Sequence, residues 1–95
     1  MKPEARIKAN IREWVRSKGG YVFAPVQTGM GESTLDQLIC LGGKFIASEA
    51  KVPGNKPTAR QANTIAAIEA AGGIAFWCTS LEDFKVKMIE NGFVL

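Results

Sequence analysis

The stretch that decides the fold is residues 35–51, LDQLICLGGKFIASEAK: Leu35-Asp36-Gln37-Leu38-Ile39-Cys40-Leu41, then Gly42-Gly43, then Lys44 to Lys51. Two apolar, β-prone runs, Leu35–Leu41 and Phe45–Lys51, flank a glycine pair, and this pattern reads as a β-hairpin. A two-residue turn at Gly42-Gly43 sets Leu41 against Lys44 and makes paired residue numbers sum to 85. Asp36 then stands opposite Glu49. Side chains alternate along a strand, so Asp36, Leu38 and Cys40 share one face, and Ala47, Glu49 and Lys51 share another. Opposed residues have Cβ atoms about 4.5–5.5 Å apart, and two carboxylates at that separation repel. A sheet does not need that arrangement. A divalent cation does, because Mg²⁺ takes hard oxygen ligands, often from only one or two carboxylates. Lys51 points to the same face and can orient a nucleophile or offset developing charge. The plain alternative is a strand-start Asp beside a solvated Glu-x-Lys sheet edge.

Outward from the hairpin, glycines cut the chain into short elements. Residues 3–18 read as an amphipathic helix with Ile7, Ile11, Trp14 and Val15 on one stripe and Pro3 in its first turn. Tyr21-Val22-Phe23 is an extended segment that Pro25 confines to a sheet edge, and 27–34 is a polar loop. Thr58–Ala71 is a helix opened by Thr58-x-x-Gln61, a capping-box pattern. Ile74–Thr79 is a short buried strand. Ser80-x-x-Asp83 opens a last helix with Leu81, Phe84 and Met88 on one face. The order α-β-β-β-α-β-α implies an α/β fold, one mixed sheet flanked by helices. The 95 residues make a single domain, 1–95.

The chain has no histidine, which excludes imidazole acid–base chemistry, His-containing triads and His-ligated zinc. Cys40 and Cys78 lack metal-type spacing and are expected to be core thiols. The N-terminus lacks the apolar core of a signal peptide, and no apolar run is long enough to span a membrane, so a reduced, cytoplasmic setting and no membrane partner are expected. The net charge of +3 permits a polyanionic partner. It is uneven: +4 over residues 1–20, +1 over 21–60 and −2 over 61–95.

Beyond these readings, the chain resembles the virus-type replication-repair nuclease (VRR-NUC) family of the PD-(D/E)XK nuclease superfamily. The resemblance rests on Asp36-Gln37-Leu38-Ile39, Gly43 through Lys51, Gly54-x-Lys56-Pro57-Thr58-x-x-Gln61 and Ala70-Ala71-Gly72-Gly73-Ile74-Ala75. It spans Glu4 to the last helix. One departure is Leu35, where the family usually has proline. The resemblance implies a restriction-endonuclease-like αβββαβα core and Mg²⁺- or Mn²⁺-dependent endonuclease action on DNA, of Holliday-junction-resolving type. It implies Asp36 and Glu49 as metal ligands with the backbone carbonyl of Ala50, Lys51 as the catalytic lysine, Gln61 as a supporting residue and Glu4 as a further acid. It also implies a homodimer and a bacterial or phage-infected cell. From the residues themselves, Glu4 falls on the inward stripe of the first helix, though the helix dipole also favours an acid there. A capping box alone accounts for Gln61. Glu32 is a rival acid to Asp36, which the hairpin register favours. DNA contact is expected from Lys56, Arg60, Lys44 and Ser33 near the hairpin and from Arg12 on the first helix; a solvated basic face is the commoner origin of such runs. The alternative function is a nucleic-acid-binding module without catalysis.

Overall fold

A computed structural model describes residues 1–26, 32 and 34–95. Its centre is the hairpin of β2 (Gln37–Leu41) and β3 (Lys44–Ala50). Gly42 and Gly43 take φ of 58° and 75°, the left-handed pair that a two-residue type I′ turn requires and glycine supplies without strain. The register runs from Leu41↔Lys44 to Gln37↔Ser48, the expected sum of 85 throughout. Both strands stop slightly short of expectation, and the reason is chemical. At the next rung the Asp36 carboxylate accepts from the Ala50 amide at 3.0 Å, and the Asp36 amide donates to the Glu49 side chain at 3.2 Å. Side chains there take the place of ladder partners.

Around the hairpin the elements follow the expected order. Helix α1 (Pro3–Ser17) precedes the edge strand β1 (Tyr21–Phe23), which pairs antiparallel with β2. Helix α2 (Ala59–Ala70) crosses from β3 to β4 (Ile74–Cys78), which pairs parallel with β3, and α3 (Leu81–Glu90) closes the chain. The result is one mixed four-stranded sheet in the order β1-β2-β3-β4. Thr58 caps α2 through the full capping box. Ser80 caps α3 by accepting from the Asp83 amide at 2.9 Å. Asp83 turns its carboxylate to the Thr79 amide at 3.0 Å, which ends β4 one residue early.

Two cores hold the layers. Helices α1 and α3 share one sheet face, where Ile11, Val15, Ile39, Ile46, Cys78, Phe84 and Met88 are buried. Each such side chain removed from water is worth about 1.5–3 kcal/mol. Trp14 and Phe76 meet the Phe84 ring edge-on at 6.0 and 5.3 Å. The second core, on the other face, is smaller: Leu35, Ala47 and Ala75 under Ile65 and Ile68 of α2. Because α2 lies over β3 and β4, the β1–β2 part of that face and the turn end of β3 stay bare. Tyr21, Phe23, Phe45 and Cys40 are exposed there. The expectation of two core thiols therefore holds for Cys78 and is corrected for Cys40, which lies beyond the part of β2 that α2 reaches at Leu38. Trp77 is half-buried with the Lys87 ammonium 4.5 Å from its ring centre. Among the described residues, no helix is long and apolar enough to cross a membrane.

Candidate active site

Three carboxylates from three parts of the chain converge where β3 ends. Glu4 comes from the first turn of α1, Asp36 from the residue before β2, and Glu49 from β3. One oxygen of each lies within 4.8 Å of the other two. The hairpin register brings Asp36 to Glu49, and the helix stripe turns Glu4 inward toward both. Gln61, third residue of α2, does two things at once. Its carbonyl oxygen accepts from the Thr58 amide at 2.9 Å in the capping box, and its amide nitrogen donates to Glu49 Oε2 at 3.1 Å. One side chain thus completes the capping box and reaches Glu49. Lys51 Nζ lies 3.9 Å from Glu49 Oε2, and Lys8 Nζ lies 3.9 Å from Asp36 Oδ1.

The electrostatics of this cluster disfavour full ionisation of its carboxylates. Glu49 is 3% exposed. Burial, then the facing Asp36 carboxylate, push its pKa up from 4.5 to about 7, and Lys51 only partly pulls it back. Buried like charges at this separation are tolerated when a positive group sits between them. The donors are all hard oxygens, the set that suits Mg²⁺ or Mn²⁺ rather than a soft metal. The residues present fit such an ion.

The structure brings Glu4, Asp36, Glu49, Lys51 and Gln61 together, with Ala50 held against Asp36 through its amide. Glu32 is exposed and stands outside the carboxylate group. Arg60 follows the cap of α2, next to Gln61, and Lys56 is exposed in the preceding loop. Lys44 is different. It sits at the turn end of β3, five residues or about 17 Å along the strand from Glu49. Its expected grouping with Lys56 and Arg60 is corrected: the turn that aligns Asp36 with Glu49 carries Lys44 to the opposite end. Arg12 is two turns, about 12 Å, along α1 from Glu4. Ser33 lies outside the described residues. The residue that sequence reasoning passed over is Lys8. Its signal was present: it follows Glu4 by four residues, one helical turn.

Solved structures share this arrangement of elements. One, described as a "VRR_NUC domain", aligns with a TM-score of 0.81 at 22% identity, over 98% of this chain and 100% of that one. The chain has the VRR-NUC fold. A second structure, a "VRR_NUC domain protein", aligns with a TM-score of 0.71 at 13% identity over 99% of this chain and 89% of that one. No family model and no curated protein matches the sequence. In the VRR-NUC fold of this chain, Leu35 stands where the family resemblance expects proline. It is fully buried against Ala47 and Ala75, so an apolar contact secures the approach to Asp36.

Proposed function

We propose that the chain is a divalent-cation-dependent endodeoxyribonuclease that hydrolyses phosphodiester bonds in branched DNA of the Holliday-junction type. The observation that carries this reading is the convergence of Glu4, Asp36 and Glu49 within 4.8 Å, with Lys51 3.9 Å from the buried Glu49. Glu4, Asp36 and Glu49 would hold Mg²⁺ or Mn²⁺, with the Ala50 carbonyl as a further ligand. When bound, that ion supplies water activation and charge stabilisation at phosphorus. Lys51 places an ammonium beside the same carboxylate, where it orients the attacking water or offsets charge on the phosphate. Gln61 fixes the rotamer of Glu49 by holding Oε2. The Ala50 amide fixes Asp36 through Oδ2, and Lys8 offsets charge at Oδ1. Arg60 and Lys56, with Ser33, would contact the DNA backbone without reading sequence.

A second copy of the chain gives paired cuts across a symmetric junction. The bare β1–β2 face suits it. Tyr21, Phe23 and Phe45 are 65%, 51% and 48% exposed, and the concavity they line with Leu38, Ile39 and Cys40 contains no charged side chain. At about 200 Å² per ring, these three alone offer roughly 330 Å² toward the ~800 Å² per partner of a standard interface. Two measurements test the reading. Cleavage of junction, flap, nicked, duplex and single-stranded DNA, with Mn²⁺ or with EDTA, should show metal-dependent cutting that favours branched DNA. Sedimentation should show a dimer that Phe23→Glu converts to a monomer. Binding without cutting under every metal would point instead to a non-catalytic nucleic-acid-binding module.

A further inference from the structure

Gln37 is the one side chain among the described residues whose buried polar atom lacks a partner. It is 1% exposed, its Oε1 makes no hydrogen bond, and its Nε2 donates to the backbone carbonyl of Lys8 at 2.9 Å. An unsatisfied buried carbonyl oxygen is unfavourable, and a leucine of similar size would fill the space without it. Stability therefore does not explain the polar group. What its single hydrogen bond does is mechanical. The apolar contacts of Ile7, Ile11 and Val15 hold α1 against the sheet, but apolar contacts are non-directional and set the helix's position along its own axis only loosely. A hydrogen bond to one chosen carbonyl sets it closely. That carbonyl belongs to Lys8, whose side chain reaches Asp36, and it lies one turn from Glu4, whose carboxylate joins the cluster. At the other end of the bond, Gln37 directly follows Asp36.

We propose that Gln37 is a positioning residue: its amide locks α1 in register with β2, so that Glu4 and Lys8 meet Asp36 and Glu49 with fixed geometry. The inference rests on the metal-site reading for its consequence and on the Gln37–Lys8 hydrogen bond for its geometry. Glu4 is the ligand that depends on it, because Asp36 and Glu49 are already joined through the hairpin.

The test compares wild-type protein with Gln37→Leu and Gln37→Met, without DNA. Three quantities are read: the melting temperature of the metal-free protein, the affinity for Mn²⁺ alone by calorimetry, and amide hydrogen exchange along residues 4–12. The expected result is a melting temperature equal to or above wild type, Mn²⁺ affinity lower by about tenfold, and faster exchange in α1. Mn²⁺ affinity within twofold of wild type overturns the proposal. So does unchanged exchange in α1, whatever the metal does. A wild-type protein that takes up no Mn²⁺ defeats the metal-site reading instead, and the exchange data then decide the role of Gln37 by themselves.

Discussion

Glu49 concentrates the chemistry of the site in one side chain. It is buried, faces Asp36, accepts from Gln61 and lies beside Lys51. Its pKa, raised from 4.5 to about 7, has a definite consequence for the metal-free protein. A carboxyl that holds its proton more tightly when folded contributes stability that is complete below the unfolded value and lost as pH rises through the folded one. The melting temperature without metal should therefore fall between pH 4.5 and about 7. The absence of histidine keeps that window nearly free of other titrations. Glu49→Gln should flatten this fall, raise the melting temperature at pH 8 and abolish the Mn²⁺-induced stabilisation expected of wild type. Calorimetric scans across pH, with and without Mn²⁺, check both. The Asp36–Glu49 pairing was legible from residue numbers alone, because a two-residue turn and a side-chain period of two leave one register. The i,i+4 spacing put Lys8 beside Glu4, but the contact of Lys8 with Asp36 and that of Gln37 with α1 were not legible. These contacts depend on how α1 is set against β2, a tertiary relation that no local pattern encodes.

At the scale of elements, α2 is coupled to the site by its own cap. Thr58 accepts from the Gln61 amide, and Gln61 answers at Thr58 while reaching Glu49. Thr58→Ala should cost about 1 kcal/mol of stability, the usual worth of an N-cap. It should also weaken Mn²⁺ binding, because the residue that holds Glu49 loses half of its support. Gln61→Ala should lower metal affinity by about 10–100-fold, as loss of a ligand-orienting partner does. Chemical denaturation and Mn²⁺ titration separate the two effects. The elements themselves were readable because caps and apolar stripes act locally: Pro3, Thr58 and Ser80 mark helix starts, and Gly42-Gly43 marks the turn. Strand ends were less readable. Asp36 and Asp83 use carboxylates to capture backbone amides that a longer strand would have paired.

On the scale of the whole molecule, the sheet is covered on one face by α1 and α3 and only partly on the other by α2. Which strand face stays bare depends on where a helix comes to rest, and that is why Cys40 looked like core from its strand pattern and is exposed. The same geometry sorts the basic residues. Lys56 and Arg60 lie on the site's side of the hairpin and Lys44 at its far end. Alanine at Lys56 or Arg60 should weaken DNA binding and reduce the salt-dependence slope by about one each, whereas Lys44→Ala should leave the slope of a single protomer's contact unchanged. Binding isotherms at several salt concentrations read this directly.

The most direct test of the central claim, a carboxylate–lysine site that cuts DNA with a divalent cation, is single-turnover cleavage of junction DNA by wild type, Glu49→Ala and Lys51→Ala under Mn²⁺ and under EDTA. The account predicts cutting by wild type with Mn²⁺ alone, and loss of cutting in both folded, DNA-binding variants. Cutting that persists in EDTA, or at the wild-type rate in both variants, would contradict it.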